Sequence, residues 1–406
     1  MSELWRLAAR NVFRHRGRSS MTLFAIAFGV VALILAGGFI KDTVDELGES
    51  MIHSQSGHIQ VSRSGYREHG TRDAGAYLID TPEALRSELA AVPGVDEVLL
   101  RMVFTGLLNN GRTDWAIMGE GVEPAAEARL GTYINVSEGR QLEAADSYGM
   151  MLGAGVAQAL DLAPGDWANL LTNTPDGAVN VLEFEVVGIF QTFSKDYDAR
   201  AVRIPLAAAQ ELMGDDGVHL AVLTLQRTGD TDAVAARVAA TMVPQGYEVL
   251  DWTELNPFYE QTVELYQQQF GFLVAVILLM VTLSVSNAIN MNVHERAAEF
   301  GTMKACGGRQ NEILRLIIAE SAILGLLGAG FGIAAGNLLA LGISAIGIPM
   351  PPPPNSDLGY ISLIRLGWEI TLLSGLIGLL APIVAAVRPA LRASRADIAE
   401  SLREGV

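Results

Sequence analysis

Charge disappears from this chain four times. Met21–Ile40 (MTLFAIAFGVVALILAGGFI) is free of charged residues and about as long as the ~20 residues a helix needs to cross a bilayer. Phe270–Val293 is a second such stretch, Ser321–Pro349 a third and Gly-rich one, and Ile370–Val387 a fourth, interrupted by Pro382. A bilayer helix tolerates a proline where neighbouring helices re-satisfy the freed backbone groups. Between the first and second runs the pattern changes to short alternating stretches separated by polar turns, as in a water-exposed α+β domain. The pattern therefore predicts four membrane-spanning helices, with one large α+β domain inserted between the first and second.

Basic residues orient the spans. Arg6, Arg10, Arg14, Arg16 and Arg18 precede the first; Arg296, Lys304, Arg309 and Arg315 separate the second from the third; Arg388, Arg392, Arg395 and Arg403 follow the fourth. The opposite ends carry Lys41 followed by Asp42, Asp45, Glu46 and Glu49, then Glu260 and Glu264, and the connection between spans three and four holds only Arg365. Both termini and the loop between the second and third spans are thus expected in the cytoplasm. The expected division is an amphipathic helix over 1–18, spans over 19–40, 270–293, 316–348 and 369–388, an outer domain over 41–269, a cytoplasmic segment over 294–315, an outer loop over 349–368 and a cytoplasmic tail over 389–406. The first run has a rival reading as a cleaved signal peptide, with Ala36, Gly37 and Gly38 at its end. Its apolar core is longer than such peptides use. In the N-terminal helix, Leu4, Trp5, Ala8 and Val12 are expected to face lipid while the arginines meet headgroups.

Two parts of the outer domain resemble each other. Ile59–Val61, Thr81–Val92 and Val95–Met102 read as strand, helix and strand; so do Leu220–Leu225, Thr231–Met242 and Tyr247–Leu250. They suggest one α+β subdomain made of two half-repeats, with a mainly β insertion over about 105–215. The insertion's strand candidates are Trp115–Met118, Asn169–Leu171 and Val181–Ile189, and Gly153–Leu160 reads as a helix before a turn. Lys41–Ser54 continues the first span without a stop, and Thr253–Gln269 runs into the second. Both read as continuous stalk helices. Pro351–Pro354 reads as a stiff connector.

Half of the 406 residues are hydrophobic and the formal net charge is −17, which argues against nucleic-acid binding. A lone cysteine, Cys306, excludes an internal disulfide. No P-loop, nucleophile elbow, zincin motif or paired C-x-x-C occurs, so a self-contained enzyme is the least favoured class and no cofactor is expected in this chain. His53, His58 and His69 are near in sequence, but a metal site there is disfavoured because the first two straddle a helix-to-strand change.

Three features point to interactions instead. His294–Gly308 (HERAAEFGTMKACGG) mixes charge and apolar residues at helical spacing: Arg296 can pair with Glu299, Phe300 and Met303 share a side, and Gly307 and Gly308 end the helix. Such a helix can dock in a partner's groove, or lie on headgroups. Gly328, Gly332 and Gly336 repeat every four residues in the third span and allow another helix to approach closely. Asn287, Asn290 and Asn292 close the second span, suited to interhelical hydrogen bonds or to the interface.

These segments together resemble permeases of the MacB/FtsX/LolE type, the type VII ABC transporter superfamily. ARNVFRHRGRSSMTLFAIAFGV is similar to the family's basic helix and first span, and GHIQVSRSGYRE to the start of the outer domain in the lipoprotein-releasing LolC/LolE branch. The family's cytoplasmic coupling pattern E-R-x-x-E-x-G-x-x-x-A-x-G falls on Glu295, Arg296, Glu299, Gly301, Ala305 and Gly307, and RPALRASRADIAESLREG resembles its closing motif, a short helix after the last span. The resemblance implies a MacB-like periplasmic core domain and an inner-membrane permease working in a dimer, of two identical or two different chains. It implies a separate ATPase that binds ATP and Mg²⁺, and an ATPase-coupling interface at Glu295, Arg296, Glu299, Phe300, Gly301, Met303, Lys304 and Gly307. Stalk helices would carry the ATPase's motion outward to a lipoprotein or other hydrophobic cargo, with a periplasmic carrier or adaptor as a further partner. The alternatives are an FtsX-like activator of a cell-wall hydrolase, and adaptor-linked efflux of small molecules or peptides.

Overall fold

Long apolar runs and short alternating ones fold differently in this chain. A computed structural model describes residues 2–14, 16–70, 74–352 and 359–395. They form two units: one of Met1–Val44, Thr262–Pro349 and Ile361–Val406, the other of Asp45–Gln261 with Met350–Tyr360.

The membrane unit is a helix bundle. An N-terminal helix, Ser2–Arg14, is followed by span 1 (Arg16–Met51), span 2 (Pro257–Glu295), a loop helix (Ala297–Ala305), span 3 (Gln310–Ile346) and span 4 (Trp368–Arg395). All four spans are long and apolar enough to cross a bilayer. At about 1.5 Å per residue, the 36 residues of span 1 exceed the roughly 30 Å of hydrocarbon. Its helix therefore continues through the polar Lys41–Met51, as the absence of a stop signal suggests. The second stalk differs from expectation. A short helix, Trp252–Leu255, is capped by Asp251, and the chain breaks at Asn256 before Pro257 starts span 2. Proline disfavours helical backbone in the residue before it, and Asn256 sits at φ −122°, ψ 71°.

The N-terminal helix also turns differently from the sequence reading. Ala8 and Val12 are buried, and Leu4 packs on the same cluster of Val285, Ile289, Leu316 and Ile317. Its apolar stripe thus faces protein, and the small Ala8 permits the close approach. Trp5, Leu7 and Phe13 remain exposed beside Arg6, Arg10 and Arg14. At the far end of the bundle, buried Asp42 straps the connection between spans 3 and 4. It accepts hydrogen bonds from the Leu363 amide (2.6 Å), the Ser362 hydroxyl (3.0 Å) and Arg365 Nε (3.0 Å). Pro353 and Pro354 of the expected connector, and the closing helix after Arg395, lie outside the described residues.

The α+β unit carries strands β1 (Ile59–Arg63), β2 (Val95–Asn109), β3 (Asp114–Val122), β4 (Asn135–Gly139), β5 (Gly149–Gly153), β6 (Trp167–Asn173), β7 (Val179–Gln191), β8 (Ala201–Pro205), β9 (Leu220–Leu225) and β10 (Tyr247–Asp251). Its helices include α1 (Pro82–Ala90), α2 (Pro124–Leu130), α3 (Ala154–Leu160), α4 (Leu206–Met213) and α5 (Thr231–Met242). The repeats β1-α1-β2 and β9-α5-β10 interleave in the order β10-β1-β9-β2, each filling the gap in the other. This is the split βαβ arrangement. Leu85 and Leu89 of α1 and Val234 and Val238 of α5 cover one face of it.

The insertion is continuous with the sheet of the half-repeats. β2 runs through the expected boundary at about 105: Val95–Arg101 pairs with β9, and Met102–Asn109 pairs with β3. One strand thus belongs to both halves, and the sheet continues through β3, β8, β5, β7 and β4. Strands β5 (GMMLG) and β8 (AVRIP) are buried at every position. A short run without alternation carries no period that separates it from helix, which explains why both escape sequence reading.

Candidate functional site

The expected coupling segment begins where span 2 ends at Glu295. Arg296 leaves the helix (φ −103°, ψ 13°) and the loop helix starts at Ala297. It stops in a Schellman motif: the Gly308 amide donates to Met303 O and the Gly307 amide to Lys304 O, with Gly307 at φ +94°. Only glycine enters that backbone region without strain.

The residues named for partner binding divide into two sets. Arg296, Phe300 and Gly301 are buried against the bundle, so they are not a surface for a partner. Arg296 Nη1 donates to both oxygens of Glu320 in span 3 at 3.0 Å, its Nε donates to Glu299 at 2.9 Å, and its guanidinium lies 5.0 Å from the Phe300 ring centre. Met303 is half-buried, and Lys304 Nζ reaches the Ala393 carbonyl of span 4 at 3.4 Å. Glu295, Glu299, Thr302, Ala305 and Gly307 are exposed. The helical spacing was legible; which side faces inward was set by Glu320.

Glu320 is the residue that sequence reading missed. It is 6% exposed and also accepts a hydrogen bond from Asn11 Nδ2 of the N-terminal helix at 2.7 Å. One carboxylate therefore ties the N-terminal helix, the loop helix and span 3 together. Two small cavities of about 30 and 20 Å³ flank it, both lined by Asn292 and Ile289, each large enough for a water molecule. An ionisable residue at the edge of an apolar run is costly in a bilayer unless paired, and that was the available signal. Of the other asparagines, Asn287 is exposed and Asn290 half-buried.

The glycine stripe meets span 1 of the same chain. A methyl group on Gly328 would fall 2.7 Å from Ile26 Cγ2, on Gly332 2.7 Å from Val30 Cβ, and on Gly336 3.0 Å from Ile34 Cδ1. On another side of span 3, a methyl group on Gly325 would fall 2.9 Å from the Leu379 carbonyl of span 4. Span 3 is held between two neighbours at near-backbone distance, as small-residue stripes allow.

No group of three or more His, Cys, Asp or Glu able to hold a metal exists among the described residues. His53 and His58 do meet, ring centres 5.7 Å apart, while His69 is exposed elsewhere. Glu49 takes a hydrogen bond from Thr228 (2.6 Å), and His58 Nδ1 accepts one from the Leu225 amide (3.2 Å). Burial, and secondarily the charge of His53, push the His58 pKa down to about 4. His58 is then neutral when folded but charges near its ordinary value when unfolded. Stability it contributes above that ordinary value is lost as pH falls towards about 4. Acidification from about pH 7 to about pH 5 should destabilise the α+β unit by about 1–2 kcal/mol. Urea unfolding of the detergent-solubilised chain, followed by tryptophan fluorescence, measures this. His58→Gln should flatten the pH slope, and an unaltered slope would reject the assignment.

A bundle of four candidate membrane helices, with a split-βαβ domain and its extended sheet inserted in the chain between the first two, defines a polytopic membrane protein with one large inserted domain. Residues 19–241 match the MacB-like periplasmic core domain and residues 271–398 the FtsX-like permease C-terminal domain. The chain belongs to this family of ABC transporter permeases. It is 24% identical over 415 residues to the lipoprotein-releasing system transmembrane protein LolC of Neisseria meningitidis, covering 94% of this chain and 93% of that one. An uncharacterized ABC transporter permease of Methanocaldococcus jannaschii is 22% identical over 411 residues, covering 98% and 96%. A macrolide export ATP-binding/permease protein MacB of Hyphomonas neptunium is 25% identical over 374 residues, covering 87% of this chain and 55% of the longer relative.

Proposed function

We propose that this chain is the inner-membrane permease subunit of an ABC transporter that performs mechanical work on a lipoprotein or other hydrophobic cargo outside the membrane. Both termini and the loop helix lie in the cytoplasm, as the arginine-rich flanks favour, and the α+β unit lies in the periplasm. ATP and Mg²⁺ bind a separate ATPase, and two permease chains make up the working dimer. The observation that carries this reading is the anchoring of the loop helix. The Arg296–Glu320 pair fixes its inner side to span 3, while Glu295, Glu299 and Thr302 stay exposed. A helix so held is a lever: force on its exposed side reaches the spans. Full-length similarity to chains named for lipoprotein release supports the cargo class.

The test is purification of the tagged chain from native membranes in mild detergent, with identification of everything retained. A separate ATPase together with a lipoprotein or lipid-binding carrier is the expected result. A cell-wall hydrolase in place of the carrier would replace cargo work by signalling, and absence of any ATPase would overturn the reading. Glu295→Lys should lower ATPase retention about tenfold, as loss of a charged contact in an interface does.

A further inference from the structure

The end of the span 1 helix carries an unusual polar arrangement inside the α+β unit. After Met51 the helix widens into a π-helix, Ile52–Ser56. A helix C-terminus leaves carbonyls without partners and carries partial negative charge. Here four of the five carbonyls of Ile52–Ser56 have partners from beyond the helix. Ile52 O accepts from the Gly57 amide (2.9 Å) and Ser56 O from Gln60 Nε2 (2.8 Å). Two more are taken by arginines: Ser54 O by Arg203 Nη2 (2.9 Å) and Gln55 O by Arg101 Nη1 (2.5 Å).

Both arginines are buried, 1% and 3% exposed. Burying a charge is tolerated only when it is paired and hydrogen-bonded. Arg101 forks onto Glu127 of α2 through Nε (3.3 Å) and Nη2 (2.5 Å). Arg203 pairs with Glu120 of β3 (3.2 Å) and Glu127 (3.3 Å). Burial opposes the Arg203 charge, yet Tyr197 and the two carboxylates hold its pKa above the usual value. The two guanidiniums come from different parts of the sheet. Arg101 stands on β2 at the point where pairing passes from β9 to β3, and Arg203 on β8 of the insertion. Gly57 closes the joint at φ +65°, where a methyl group would fall 2.2 Å from Val222.

We infer that Arg101 and Arg203 form the joint that fastens the stalk's end to both halves of the sheet, so that movement of the helix is delivered to the sheet as a whole. They are positioning residues and need touch no cargo. The inference rests on the proposal that this chain transmits motion.

Arg101→Lys with Arg203→Lys is the test. A lysine keeps the charge beside Glu127 and Glu120, but its single ammonium cannot span carboxylate and carbonyl as the planar fork does. The full-length chain, reconstituted with its ATPase partner in nanodiscs, is followed by amide hydrogen exchange. Exchange over residues 50–58 should quicken about tenfold, with α1 and α5 unchanged. The ATP-induced change in exchange over β2 and β9 should vanish while ATP turnover continues. Unaltered exchange over 50–58 would overturn the joint, and so would a loosened 50–58 with a full response to ATP over β2 and β9. If the unsubstituted complex shows no ATP response, the transmission proposal fails. Exchange over 50–58 then still decides by itself whether the guanidiniums hold the helix end.

Discussion

Arg296→Glu should unfold the loop-helix end of the bundle rather than merely weaken partner binding. The side chain is buried, and three partners converge on it: Glu320 through two hydrogen bonds, Glu299 through one, and the Phe300 ring. Removing one member of a buried pair typically costs about 3–5 kcal/mol, because the other is left charged without compensation. Reversal adds a third carboxylate to the two already present. Asn11, which donates to the same Glu320, would lose its geometry as well. Thermal unfolding in detergent and protease cleavage within 294–315 report the effect. Wild-type melting and cleavage in Arg296→Glu would show that the pair does not hold the loop helix. Arg296→Met with Glu320→Leu is the informative control. Replacing a buried pair with apolar groups is often neutral for stability, so stability should return towards wild type.

Gly332→Leu should prevent span 3 from seating against span 1. Even a methyl group at this position would fall 2.7 Å from Val30 Cβ and 2.9 Å from the Ala27 carbonyl. A side chain can change rotamer, but a carbonyl inside a helix cannot give way without moving the helix. Overpacking of this kind costs about 1–3 kcal/mol for small insertions, and leucine inserts three carbons beyond the methyl. The expected outcome is a sharp fall in folded chain recovered from membranes. Gly330→Leu is the matched control, since nothing lies within 4 Å of the corresponding position. Equal recovery of the two variants would remove the glycine stripe from the packing of spans 1 and 3.

The candidate site was partly legible for a specific reason. Helical spacing in His294–Gly308 fixes which side chains share a face, and the glycine pair fixes where the helix stops. Neither fixes which face turns inward. That depended on Glu320, 24 residues beyond the Arg296 it pairs with. The N-terminal helix shows the same limit: its apolar stripe was evident, but protein rather than lipid covers it. In the α+β unit, the half-repeats were legible because each sets a helix-like run between two short strand-like runs. β5 and β8 were not, because full burial on both faces erases the alternation.

The sequence by itself determined the four spans, the place of the large domain between the first two, the unbroken helix beyond span 1 and the small-residue stripe of span 3. Each is a local property: hydrophobic run length, repeat period, or the presence or absence of a breaker. The tertiary structure alone decided that the glycines meet span 1 of the same chain and that β2 serves both halves of one sheet. It also decided that Arg296, Arg101 and Arg203 are inner ties rather than outer contacts. The physical reason is common to all three arginines. A buried guanidinium is stable only where acceptor oxygens converge on it, and for each of these three the fold brings at least one such carboxylate from a distant segment.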